Sequence, residues 1–160
     1  MSRTGTLLLI CLLGLTACGF QLRGEATMPA EMDRTYIQTD DRHSPFYVRL
    51  RDEFRTAGIE VVDSPVDAKA IFVIETDVTS QRVLAVSARN VPREYEVFYT
   101  ISYSLMAEQD TLMDRRSQTK TQAYTWDETE VLGKTREEEL LRNAIADDLV
   151  RVVMIQLAAL

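Results

Sequence analysis

From Arg93 to Met106 the chain alternates almost without a break. Tyr95, Val97, Tyr99, Ile101, Tyr103 and Leu105 share one parity, and Glu94, Glu96, Thr100, Ser102 and Ser104 the other, with Phe98 and Met106 the apolar exceptions. Successive side chains of a strand point to opposite faces. This run therefore demands an extended strand with one face against a core and the other in a polar setting. A helix would scatter the same apolar residues around its circumference. A chain with this stretch must build a sheet and cover one side of it.

The flanking segments supply the cover and the neighbours. Arg34 to Thr39 reads as a short strand around Tyr36 and Ile37, followed by the polar turn Asp40-Asp41-Arg42-His43. Ser44-Pro45 then opens a helix: serine accepts from the free N–H groups of the first turn, and proline at the first position loses no hydrogen bond. Phe46, Leu50, Phe54 and Ala57 form its apolar face, and Gly58 ends it. Ile59 to Val62 can extend, and Pro65 interrupts. Ala70 starts a strand that is apolar on both faces at first, as in a buried central strand, and that runs on towards Val86. Thr111 to Trp126 is a polar strand rich in Thr, Gln and Ser, suited to an edge or to a partner surface. The last helix is expected from Thr135, capped by a Thr135/Glu138 box, with Leu141, Ile145, Leu149, Val152 and Val153 as its buried stripe. The order is β-α-β-β-β-α. It implies an α+β domain, a four-stranded mixed sheet with two helices packed on one face, over residues 34–160.

The N-terminus has a different character. Arg3 precedes the apolar run Leu7 to Leu15, which is too short to cross a bilayer that takes roughly 20 helical residues. It fits the core of a secretory signal. Leu15-Thr16-Ala17-Cys18 follows, a leucine and two small residues before a cysteine, as in the bacterial lipobox. Residues 1–17 read as a signal peptide. Cys18 becomes the lipid attachment residue at the head of a leader, 18–33. Of the two cysteines, Cys11 lies in the signal, so the domain is held by its core with no disulfide. Gly19 stands where an aspartate would favour the inner membrane, which favours the outer membrane instead.

Charge and side-chain inventory narrow the function classes. A formal net charge of -7 without a basic stripe is unsuited to nucleic acid. His43 is the one histidine, no mature thiol is free, and metal-ligand spacings, phosphate loops and nucleophile elbows are missing from the sequence. A binding or assembly protein is expected, not an enzyme, with no metal or cofactor beyond a lipid on Cys18.

The mature start, Cys18-Gly19-Phe20-Gln21-Leu22-Arg23-Gly24, resembles that of the LptE family of lipopolysaccharide-assembly lipoproteins. So do Ser44-Pro45 leading into a helix that ends at Gly58, Arg89-Asn90 before Glu94-Tyr95 and the long strand, and Lys134 before the last helix. The resemblance implies an outer-membrane lipoprotein with N-acyl and S-diacylglycerol groups (palmitate among them) on Cys18, facing the periplasm. It implies a one-to-one complex with the β-barrel protein LptD, in which the lipoprotein plugs the barrel, aids its assembly, binds lipopolysaccharide and supports its insertion into the outer leaflet. It also assigns lipopolysaccharide binding to Arg89 and Lys134, which occupy the family's basic positions. Arginine can hold phosphate through two parallel hydrogen bonds, and a cation beside free helix N–H groups can hold an anion. The other reading is a periplasm-facing lipoprotein subunit of a different lipid or solute transport system.

Overall fold

The computed structural model describes residues 28–108 and 110–160. The signal peptide, Cys18 and the leader up to residue 27 lie outside the described residues. A 3-10 turn at Ala30–Asp33 leads into β1 (Arg34–Gln38). Helix α1 (Pro45–Thr56), β2 (Glu60–Val62), β3 (Ala70–Val86), β4 (Pro92–Ala107), β5 (Asp110–Thr125) and α2 (Val131–Leu157) follow. The sheet order is β2-β1-β3-β4-β5, parallel between β2, β1 and β3 and antiparallel from β3 to β5.

The sheet thus has five strands, where four were expected. The extra one is the extended stretch after α1. Gly58, at φ +83°, turns the chain out of the helix, and Ile59 N–H donates to the Phe54 carbonyl at 2.9 Å. A positive φ is where glycine carries no Cβ penalty. Buried Ile59 anchors the return, and Arg34 pairs opposite Glu60. Three residues before a proline are too few for alternation to announce a strand.

The rest of α1 follows its sequence. Ser44 Oγ accepts from Tyr47 N–H at 3.0 Å, and Phe46, Leu50 and Phe54 are fully buried, each contributing about 1.5–3 kcal/mol. Ala57 is exposed. Both helices lie on one face of the sheet. Phe54 meets Phe72 edge-on at 5.6 Å, Phe72 stacks on Tyr103, and Tyr103 Oη donates to Gln156 of α2 at 2.8 Å. The alternating residues Val97, Tyr99, Ile101, Tyr103 and Leu105 all have no accessible surface. The core also reaches back to Met32, within the stretch assigned to the leader; Thr35 Oγ1 donates to its carbonyl at 2.8 Å.

Helix α2 begins at Val131, ahead of the expected Thr135. An Asx turn precedes it: the Asp127 carboxylate accepts from Thr129 N–H at 2.9 Å and Thr129 Oγ1 at 2.7 Å, and Glu130 takes the N-cap position with no side-chain cap bond. Thr135, already helical, bonds back to the Val131 carbonyl, and Glu138 pairs with Arg142, so no Thr135/Glu138 box forms. Ile145, Leu149 and Val153 are buried as expected, with Leu141 and Val152 partly so. No helix of the described residues is long and apolar enough to cross a membrane.

A register shift at Glu75 sets what the long strands present. Before it, Ala70, Phe72 and Ile74 face the helices; after it, Asp77, Thr79 and Gln81 do, opposite Ile101, Tyr99 and Val97. An extra residue in one strand reverses the parity of everything beyond it. On the outer face, Thr76, Ser102 and Ser117 form one row, Val78, Thr100 and Thr119 the next, and Ser80, Phe98 and Thr121 a third.

Candidate functional site: the loop end of the sheet

The β3–β4 turn is built by Ser87, whose N–H donates to the Val91 carbonyl at 2.8 Å and whose carbonyl accepts from Asn90 N–H at 2.9 Å. Asn90 sits at φ 60°, a left-handed conformation that asparagine tolerates better than most side chains. Arg89 is thereby held at the exposed tip of the hairpin. It takes part in no ion pair among the described residues.

Register brings the start of α2 to the same end. Val86 pairs with Pro92, Glu94 with Thr125, and Trp126 N–H donates to the Arg93 carbonyl at 2.8 Å. The chain then needs only residues 127–130 to reach α2. Lys134 and Arg93 both contribute to holding the Asp127 carboxyl below its usual range, behind the larger effect of the Thr129 hydrogen bonds. Arg89 and Lys134 therefore stand at one end of the sheet.

Their surroundings differ. Lys134 lies inside the first turns of the helix, and its N–H is already bonded to the Glu130 carbonyl at 2.9 Å. Its ammonium pairs with Glu137 at 2.8 Å, is largely covered, and is held above the usual lysine range mainly by that hydrogen bond. The expected arrangement, a lysine before a helix with its own free N–H beside it, is not present. A phosphate reaching Lys134 must share it with a carboxylate. Arg89 has no such competitor among the described residues. Arg93 stands beside Glu94 and Glu96, but Glu96 is engaged by Arg82 at 2.7 Å.

Apolar groups accompany these cations. Val86 and Val131 are about half exposed, and Leu132 is 89% exposed. Tyr124 and Trp126 are occupied: Tyr95 stacks on Tyr124 and meets Trp126 edge-on, and Tyr124 Oη donates to Gln81 at 2.7 Å. A second polar cluster escaped the sequence reading. Asp77 accepts from Ser44 Oγ at 2.5 Å and from Tyr99 Oη at 2.7 Å, and Tyr99 Oη accepts from Phe46 N–H at 3.3 Å. Only the bulge at Glu75 turns Asp77 towards the helix, and the sequence pattern gives no sign of it. A groove of about 1340 Å³ between the helices, crossed by the Arg49–Asp147 pair, lies towards the other end of α2. Among the described residues, no group of three His, Cys, Asp or Glu is placed to hold a metal ion.

The family model for LptE, lipopolysaccharide-assembly, matches residues 32–157. The chain belongs to this family. It is 27% identical to the LPS-assembly lipoprotein LptE of Yersinia enterocolitica, over 95% of the chain and 78% of that relative. Among solved structures it resembles lipoprotein B of Nitrosomonas europaea (TM-score 0.72, 25% identity, 88% of the chain and 91% of that structure). It also shares its fold with the rare lipoprotein B of Shewanella oneidensis (TM-score 0.67, 18% identity, 79% and 94%). The chain is an LptE-family, membrane-associated lipoprotein of lipopolysaccharide assembly.

Proposed function

We propose that the chain is the lipoprotein half of an outer-membrane lipopolysaccharide translocon. Residues 1–17 direct export and are removed; Cys18 receives N-acyl and S-diacylglycerol groups that anchor the domain, facing the periplasm, to the outer membrane. Several acyl chains at about 0.8 kcal/mol per buried methylene make that attachment effectively permanent. The domain forms a one-to-one complex with the LptD β-barrel, plugs it and aids its assembly. Lipopolysaccharide is bound at the loop end, with Arg89 as the primary phosphate ligand and Lys134 as the secondary one. No covalent chemistry is required of the chain.

The observation that carries the reading is the convergence of Arg89 and Lys134 at one end of the family's domain, beside exposed Val86, Val131 and Leu132. Lipopolysaccharide offers phosphates and acyl chains together, and this end offers cations and apolar side chains together.

Two measurements test it. Detergent extraction of the full-length chain with its envelope partners should recover a large β-barrel in one-to-one ratio. Titration of the domain with lipopolysaccharide should show binding weakened on the order of tenfold or more in Arg89→Asp/Lys134→Asp, because two charge-assisted contacts are lost and reversed. Both positions are away from the buried core, so the melting temperature should stay near wild type. Undiminished binding in the double variant removes the site. Recovery with an inner-membrane or soluble partner instead of a barrel removes the translocon reading.

A further inference from the structure

The groove of about 1340 Å³ between the helices has an apolar floor and charged rims. From α2 it takes Val150, which is buried, Met154, which is partly buried against the core, and Ile155, which is half exposed. Most of the rim charges are matched within the domain: Arg49 with Asp147, Asp52 with Arg51 and Arg55, and Arg151 with Asp148. Glu53 of α1 also lines the groove, and it takes part in no ion pair among the described residues. A half-exposed isoleucine and an unmatched carboxylate in one groove suit an occupant that brings apolar side chains and a cation together.

The chain itself passes through this groove. Met28, the first described residue, lines it and packs against the core. The residues before Met28 read Cys18-Gly19-Phe20-Gln21-Leu22-Arg23-Gly24-Glu25-Ala26-Thr27. They hold two large apolar side chains, Phe20 and Leu22, and one cation, Arg23. The function proposed above uses only Cys18 of this stretch. The lengths also agree. Residues 147–157, the α2 side of the groove, are roughly 16 Å long at about 1.5 Å per residue. About five extended residues cover that distance, so Leu22, counted back from Met28, is within reach of every part of the groove.

We propose that residues 20–23 of this same chain occupy the groove, with Phe20 and Leu22 against Val150, Met154 and Ile155, and Arg23 beside Glu53. Apolar side chains leave water when they meet an apolar floor, and a segment already tethered at Met28 stays at high local concentration beside it, so a weak contact is enough. The consequence is for the lipid anchor. With Phe20 seated, Cys18 is two residues away, at most about 7 Å of chain from the helices. The acyl chains then leave from the helix side of the domain, away from the loop end, and the domain meets the bilayer in a defined orientation. This last step rests on the anchor proposed above; the docking of residues 20–23 does not.

The test uses the full-length chain, expressed in a bacterial envelope and extracted in detergent. A photo-cross-linking side chain at Phe20 or at Leu22 is expected to form adducts within one chain, mapped by peptide mass to residues 49–57 of α1 and its end or to residues 147–159. Ile155→Asp is expected to lower their yield on the order of fivefold or more, because it puts a charge on the apolar floor. Ile155 is half exposed, so that variant is expected to fold. The inference is overturned if the adducts map to the sheet, to a second copy of the chain or to lipid alone, or if a folded Ile155→Asp gives the wild-type yield. Should Ile155→Asp fail to fold, the map of the adducts decides. Incorporation of labelled palmitate is read on the same samples. Its absence defeats the anchor and the orientation drawn from it, and the adducts still decide whether the segment docks.

Discussion

The two ends of the sheet are built from the same strands but to different rules. Where β1 and β3 begin, Ile37, Ala70, Phe72 and Ile74 lie under α1 and the later turns of α2, whose Ile145, Leu149, Val153 and Leu157 are all buried. Where β3 turns into β4, the earlier turns of α2 contribute no fully buried residue, Val83 and Val86 are about half exposed, and Lys134 pairs only within its own helix. One end holds the fold together. The other is supported by it and keeps its cations and apolar groups available. Lipopolysaccharide-facing chemistry is expected at the end whose side chains are not needed for folding.

The sharpest way to break this contrast is to remove one apolar side chain from each end. Phe72→Ala deletes a ring that meets Phe54 edge-on and stacks on Tyr103, and leaves a cavity between sheet and helix. It should cost about 3–5 kcal/mol in urea unfolding. Val86→Ala, at the other end, should stay within about 0.5 kcal/mol of wild type. Similar losses from the two would show that stability is spread evenly and that the loop end is no freer than the core.

A smaller effect is expected where the two ends meet. Tyr99 Oη donates to Asp77 and accepts from the first turn of α1, joining the middle of the sheet to a helix cap. Tyr99→Phe leaves both partners short of a hydrogen bond and should cost about 1–3 kcal/mol near neutral pH. Burial first, then the Asp77 hydrogen bond and charge, raise the Tyr99 hydroxyl well above the usual tyrosine range. The contribution is complete below the unfolded value. It is lost as the pH rises above about 10, where the unfolded chain ionises first. Wild type should thus lose stability in this alkaline range faster than Tyr99→Phe, which keeps only the shallower slope of Tyr103 and Tyr124, both raised by burial. Equal alkaline slopes would mean that Tyr99 is not held protonated by the fold.

Periodicity revealed the packed end well and the loop end poorly. The alternation from Tyr95 to Leu105 identified the buried face of β4, and Ser44-Pro45 and Gly58 identified both limits of the region that α1 occupies. These signals are local, and a core enforces them. β2 left no signal because three residues contain barely one alternation, and its pairing with β1 is a long-range event. The start of α2 differs because Thr135 and Glu138 satisfy a capping pattern, whereas the helix begins a turn earlier at Val131, behind an N-cap, Glu130, that makes no side-chain bond for a sequence pattern to reveal. Asp77 was hidden by the shift at Glu75, which reverses the face of every later residue in β3. The positions of Arg89 and Lys134 came from the family resemblance, and strand register then brought them to one end. The partner of Lys134 was not foreseen, because an i,i+3 contact to Glu137 requires the helix to have started earlier than Thr135.

That partner supplies the finest test of the comparison. If Lys134 serves as a phosphate ligand, Glu137 competes with the phosphate, whereas Arg89 has no competitor among the described residues. Glu137→Gln keeps an acceptor for the ammonium but removes the opposing charge. Lipopolysaccharide should then bind more tightly, by about two- to fivefold at low salt, the scale of an exposed ion pair. The gain should shrink as salt is added and vanish when Lys134 is also replaced by Met. Stability should move by less than about 0.5 kcal/mol. Unchanged or weaker binding in Glu137→Gln would assign Lys134 to helix stability alone, leaving Arg89 as the cation that meets the ligand.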